Sequence, residues 1–242
     1  MKKILALTAL FFAFASTSAI AKNDYSCDKK FIFFPGGPEG GPFGTIVYNG
    51  AVAAAEHTGC DVDYYWSQWN SEIMIKQFKE AVALQPDGIA IYGFPGDAAM
   101  RPIINEAREM GIVITTMNTP LPDLEAELKT TGFGYAGADL FAAGFNLGKK
   151  GVEVCGLEAG DKAFVWGLAS MPNRGERTKG AIAGVESMGV EVVYQEIPDN
   201  VNSDASQVTP MYVATYSANP DIKMAITDHG GLTASLPTYM KA

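Results

Sequence analysis

The chain is predicted to be an α/β protein of two doubly wound parallel-sheet lobes joined by a hinge, with the C-terminal part of the second lobe missing. Three observations carry this. Between Phe31 and Asn118 one unit recurs four times: an apolar run, a loop, then a helix-like stretch. The runs Phe31–Phe34, Val62–Trp66, Gly88–Tyr92 and Ile112–Thr116 follow one another at roughly the spacing of βαβ units. They are apolar without alternation, as strands covered on both faces must be. The same pattern then resumes beyond a polar, proline-bearing segment, Asn118–Asp123.

Taken in order, the first runs are strands because each ends in a loop and is followed by helical spacing of Ala, Val, Ile, Phe and Met. The helices are expected over Thr45–His57, Ser71–Leu84 and Ala98–Met110. Gly59, Pro86-Asp87-Gly88 and Gly111 supply ordinary helix stops, and Ser71 followed by Glu72 makes an acceptable start. Residues 22–118 form the first lobe and 119–131 the hinge crossing, chosen on the composition shift at Asn118–Asp123. The second lobe is placed at 132–242. It has strands at Phe133–Ala136, Lys162–Leu168, Val190–Gln195 and Lys223–Thr227. Its helices lie at Leu140–Leu157 and near Glu176–Met188, Asp204–Ala218 and Leu232–Met240.

Ahead of this pattern, Lys2 and Lys3 precede an apolar run from Ile4 to Ala15, which leads to Ala19-Ile20-Ala21. Those are the three parts of a secretory signal peptide, so residues 1–21 are expected to be removed on export. No cysteine follows the cleavage point to carry a lipid, and no later stretch is long and apolar enough to insert in a membrane. The expected location is the periplasm. Cleavage removes two lysines and no acid, leaving 16 Lys and Arg against 27 Asp and Glu, so the formal charge moves from −9 to −11. Such a surface gains nothing from phosphate backbones, which argues against nucleic acid and anionic membrane as partners.

Three cysteines remain. Cys27 and Cys60 each stand just before a predicted strand, and parallel pairing of those strands would bring them together in a compartment that permits disulfides. Two buried free thiols are the alternative, and spacing alone does not choose. Cys155 reads as helix packing. No CxxC or Cys/His cluster points to a metal, and no cofactor motif is present. The glycine-rich loop Gly36–Gly44 lacks G-x-G-x-x-G spacing, Gly144–Lys149 falls short of GxxxxGK[ST], and no G-x-S-x-G elbow occurs. No catalytic set is expected. Ser170, His229 and Asp228 are the nearest approach to one, and neighbours on one loop rarely give a base and its orienting carboxylate usable geometry.

In open parallel sheets ligands bind beyond the carboxyl ends of the strands. Those positions hold Pro35–Gly44; Trp66, Gln68, Trp69 and Asn70; Gly93–Asp97; and Asn118. In the second half they hold Asp139; Ser170, Asn173 and Arg177; Asp199–Asn202; and Asp228 with His229. Aromatic plates beside amide, carboxylate and guanidinium groups are what a polyol requires. Trp69 is favoured over Trp66 as the exposed ring. Each choice has a structural alternative: Arg177 on a solvated helix face, Asp228 as the cap of the last helix, Asn118 as a turn former.

The chain resembles the type I periplasmic sugar-binding proteins, the substrate-binding subunits of bacterial ABC importers of simple sugars. The resemblance rests on Gln85–Ile91, Ala107–Ile114, Asn173–Gly180 and Ala218–Asp228, in that order and spacing, and it runs from about Phe31 to Ala242. It implies two lobes that close on a monosaccharide or small polyol, which is then handed to a membrane permease. It implies that Phe43 stacks on the sugar ring, Asn118 sits at the end of the fourth strand, and Arg177 donates paired hydrogen bonds. Asn173 would stand one turn before that arginine, and Asp228 on the second lobe. Trp69, Asn70 and Asn202 complete the expected site. The family's second-lobe aromatic is absent near Asp199–Asp204, where Asn202 and Ser203 stand. Family members also continue for several more βα units. A small-ligand receptor for a chemoreceptor or sensor kinase, and a secreted hydrolase, are the alternatives; a sugar-responsive transcription factor would need a DNA-binding helix pair where this chain has its signal peptide.

Overall fold

The computed structural model of the chain describes residues 27–198, 201 and 204–242; the expected signal peptide lies outside them. The first sheet has five parallel strands in the order β2-β1-β3-β4-β5. They are β1 (Lys30–Phe33), β2 (Asp61–Tyr64), β3 (Gly88–Ile91), β4 (Val113–Met117) and β5 (Gly134–Ala136). The helices between them are α1 (Pro42–Thr58), α2 (Ser71–Ala83), α3 (Asp97–Glu109) and the short α4 (Pro122–Leu128). Strand order reverses between β1 and β3, so the loops after them diverge to opposite sides and leave a crevice at their carboxyl ends.

The core of this lobe is the face made by Ile32, Ile89, Ile91 and Ile114. It is closed by Met74, Phe78 and Ala81 from α2 and by Met100, Ile103 and Ile104 from α3. Each large side chain removed from water there contributes about 1.5–3 kcal/mol. α1 packs instead through Tyr48, whose ring lies 4.7 Å from Tyr64 and 5.4 Å from Trp66.

Two expectations about the middle of the chain are corrected. The segment placed as a hinge crossing, 119–131, forms α4 and a 3-10 turn at Lys129–Thr131, and it packs on the first lobe through the buried Leu121 and Leu124. Pro122 is at home there because the first helical turn needs no N–H from it. The strand assigned to the second lobe at Phe133–Ala136 hydrogen-bonds β4, pairing Thr115 with Gly134 and Met117 with Ala136. It therefore belongs to the first sheet, and the chain leaves that sheet after Ala136.

The second sheet is β7-β6-β8, also parallel. It comprises β6 (Lys162–Gly167), β7 (Glu191–Glu196) and β8 (Ile222–Thr227), with α5 (Leu140–Cys155), α6 (Glu176–Glu186), α7 (Thr209–Ala218) and α8 (Gly230–Tyr239). The residues of β6 alternate between two cores. Ala163 and Val165 face Val152, Ala181 and Val185 of α5 and α6. Phe164 and Trp166 face Tyr212, Leu232 and Tyr239 of α7 and α8. A strand buried on both faces explains why its sequence is apolar throughout. α5 and α6 meet along Gly144 and Gly148 on one helix and Gly180 and Gly184 on the other; a methyl at any of the four would overlap backbone of the facing helix.

Cys27 and Cys60 form a disulfide, with Cα atoms 4.6 Å apart. It joins the chain just before β1 to the chain just before β2, strands that pair from Lys30 with Asp61 onward. Cys155, expected to pack, is exposed at the end of α5. No described helix is long and apolar enough to cross a membrane. No group of three or more His, Cys, Asp or Glu side chains poised for a metal occurs among the described residues.

Candidate functional site

A cavity of about 170 Å³ lies between the carboxyl ends of the two sheets. Its first-lobe wall is aromatic and is built from three consecutive strand ends and a helix start. After β1 the backbone passes through Gly36 with φ 93°. Trp69, itself held at φ 54°, donates its N–H to the Gly36 carbonyl at 3.0 Å. Its indole then lies so close over Gly36 and Gly37 that a Cβ at either would enter the ring. Tyr92, directly after β3, meets that indole edge-on at 5.5 Å, and Phe94 stands 6.2 Å from it. Phe43, which the glycine-rich stretch suggested lay in a loop, sits in the first turn of α1, 6.1 Å from Trp69. Trp66 turns the other way, onto Tyr48.

The second-lobe wall is headed by two arginines. The turn after β6 carries Asn173 at φ 55° and feeds into α6, so Arg174 and Arg177 both face the start of α8. Between them lies Asp228, 3% exposed, at the end of β8. Arg174, 7% exposed, donates Nη1 to Asp228 Oδ2 at 2.9 Å and Nη2 to Oδ1 at 3.3 Å and to the Asp228 carbonyl. Arg177 donates Nε to Oδ1, and the Thr178 hydroxyl donates to Oδ2 while accepting from the Leu168 N–H at 3.0 Å.

Burial pushes the Asp228 carboxyl up. The Arg174 charge and hydrogen bonds, with help from Arg177 and Thr178, outweigh it and hold the carboxyl below the usual carboxylate range. Burial pulls the Arg174 guanidinium down from its ordinary value while Asp228 pulls it back up. It remains cationic because that ordinary value is far above neutral pH. Burial also pushes the Tyr92 phenol up, so it stays protonated and able to donate.

Of the residues expected at the site, Phe43, Trp69, Asn118 and Arg177 line the cavity. Asp228 stands behind them, reached through the arginines rather than capping α8. That cap is His229, whose Nδ1 accepts from the Gly231 and Leu232 N–H groups at 3.1 and 3.4 Å. Asn70 is not brought to the cavity: its Oδ1 accepts the Ile73 N–H at 2.9 Å and caps α2. Asn173 opens on a separate, shallower hollow and bridges to Asp97 Oδ2 of the first lobe at 3.0 Å. Asn202 lies outside the described residues.

Arg174, Tyr92 and Thr119 also line the cavity and were not singled out from the sequence. Tyr92 and Thr119 immediately follow β3 and lie just past β4, so the strand-end rule reaches them once the strands are trimmed by a residue. Arg174 shares a turn with Arg177, and only the backbone of Asn173 decides that both point inward. Ser170, His229 and Asp228 do not form a relay. The Ser170 hydroxyl donates to Glu196 at 2.8 Å, while Asp228 and His229 hold the partners given above.

The chain belongs to a family of periplasmic binding proteins: the periplasmic binding protein domain model matches residues 32–239. Solved structures of similar fold include a glucose-galactose binding protein from Geobacillus stearothermophilus. It is 22% identical with a TM-score of 0.69, and the match covers 87% of this chain and 74% of that one. Another is an ABC transporter solute binding protein from Burkholderia graminis in complex with D-arabinose, 19% identical with a TM-score of 0.74, covering 90% and 71%. A carbohydrate transporter from Acidothermus cellulolyticus in complex with myo-inositol is 20% identical with a TM-score of 0.67, covering 86% and 70%. No curated protein matches the chain.

Proposed function

We propose that the protein is a periplasmic receptor that captures a simple sugar or polyol and delivers it to the permease of an ABC importer, without catalysis. The observation that carries this reading is the pairing of walls across one cavity. Trp69, Phe43 and Phe94 offer flat apolar surface to the C–H face of a sugar ring. Arg177 and Asn118 offer planar polar groups to its hydroxyls. The sugars and polyols bound by the three proteins of similar fold support the ligand class, and the family supports the transport role. The separate hydrogen-bond partners of Ser170, His229 and Asp228 support a binding role over hydrolysis.

Melting the full chain against a panel of pentoses, hexoses, polyols and their acids tests the reading. A ligand present at a hundred times its Kd adds about 2.7 kcal/mol to stability, which is a readable rise in Tm. Arg177→Ala is expected to weaken the best ligand by about tenfold or more, since a hydrogen bond from a charged donor is lost. A panel without any shift at millimolar concentration, or full affinity in the variant, would contradict it.

A further inference from the structure

We infer that the ligand is a sugar acid, a polyol bearing one carboxylate seated on Arg177; this rests on the sugar-receptor reading above. Two guanidinium groups line the cavity, and the one carboxylate set between them, Asp228, already accepts from Arg174 twice, from Arg177 and from Thr178. No lone pair of Asp228 is turned to the cavity. Arg177 spends only Nε on it, and its terminal nitrogens make no hydrogen bond among the described residues. The side chain is 28% exposed, so those donors reach the cavity space.

The Tyr92 and Thr119 hydroxyls, on residues 0% and 1% exposed in the cavity wall, have no hydrogen-bond partner. Buried hydroxyls left unpaired cost free energy until something accepts from them. The remaining side-chain amide is Asn118, uncharged, at the end of β4. One acid, Asp204, lies at the exposed rim. Its oxygens already accept from the Ser206 N–H and hydroxyl and from Gln207, and water screens it there.

Among the described residues the deep cavity carries one guanidinium charge beyond what Asp228 balances, holds the open terminal donors of Arg177, and offers no open carboxylate. Each hydroxyl of a neutral sugar offers two acceptor lone pairs but also one donor, and it brings no charge to balance the guanidinium. A planar carboxylate matches the guanidinium fork and supplies the missing acceptors and charge. A single surplus charge fits a carboxylate, as in an aldonate or uronate.

The test is calorimetric titration of the unmodified full chain with D-galacturonate and D-gluconate, beside D-galactose and D-glucose. At least one acid is expected to bind about tenfold tighter than its neutral parent, the difference between charged and neutral hydrogen bonds, and this advantage is expected to shrink with added salt. Asn118→Asp places a carboxylate in the cavity at a left-handed position that aspartate tolerates; it is expected to erase the preference by weakening the acid. Neutral sugars binding as tightly as their acids in the unmodified chain would overturn the sugar-acid inference and leave the receptor reading standing. Binding of neither set would overturn the sugar-acid inference, and the receptor reading would fall with it only if the wider panel of pentoses, hexoses and polyols also gave no shift.

Discussion

Asp228 accepts hydrogen bonds from four side-chain donor atoms while almost wholly buried. Removing it would strand Arg174, a guanidinium with its main partner gone and little water to replace it. Asp228→Ala is therefore expected to cost about 3–5 kcal/mol in denaturant unfolding, well beyond any effect of Arg177→Ala. The acid dependence has a definite sign. The folded carboxyl titrates below its ordinary value of 3.8, so its contribution is complete above that value and is lost as pH falls through the folded one. The Tm of the unmodified chain should fall on acidification below about pH 4, and that fall should be shallower in Asp228→Asn. Arg177 lines the cavity where strand ends and a family motif mark it, whereas Asp228, expected to touch ligand, stands behind the two arginines as their partner. Asn70 was misplaced because capping and ligand binding want the same amide, and only the Ile73 N–H decides between them.

At the scale of elements, the pair α5 and α6 shows how glycine spacing sets distance. Gly144 and Gly148 face Gly180 and Gly184, and the backbones close until no side chain fits between them. Gly184→Val is expected to destabilise by about 1–3 kcal/mol or more, by forcing the helices apart. Gly50 in α1 has open space around it, so Gly50→Ala should instead stabilise by about 0.5–1 kcal/mol. Urea melts of the two variants separate contact from propensity. β1 to β4 were readable because each is an unbroken apolar run bounded by stop residues. α4 was not: seven residues opening on Pro122 look like a linker until Leu121 and Leu124 are seen packed against the sheet. β5 was recognised as a strand but assigned to the wrong sheet, since three residues carry no local sign of their partner.

For the whole molecule, the Cys27–Cys60 bridge encloses a span of 33 residues holding β1 and α1. Closing a loop of that length in the unfolded chain is worth about 3–4 kcal/mol, so reductant should lower the Tm of the native protein by that measure. A thiol titration of the folded, unreduced chain should find one reactive group, the exposed Cys155. The two-lobe plan could be read from the recurrence of strand and helix. Which lobe owned the middle of the chain could not, because sheet membership is settled by pairing between distant segments.

The bond from Asn173 to Asp97 crosses between the lobes at one edge, while the other oxygen of Asp97 holds the Leu124 N–H within its own lobe. Asp97 is thereby tied both to its own lobe and, through Asn173, to the other. Ala98 and Pro172, exposed directly beside them, are accordingly the places for a pair of spectroscopic labels. The spacing between such labels would act as a gauge of lobe separation, turning a receptor into a reporter without touching the cavity itself.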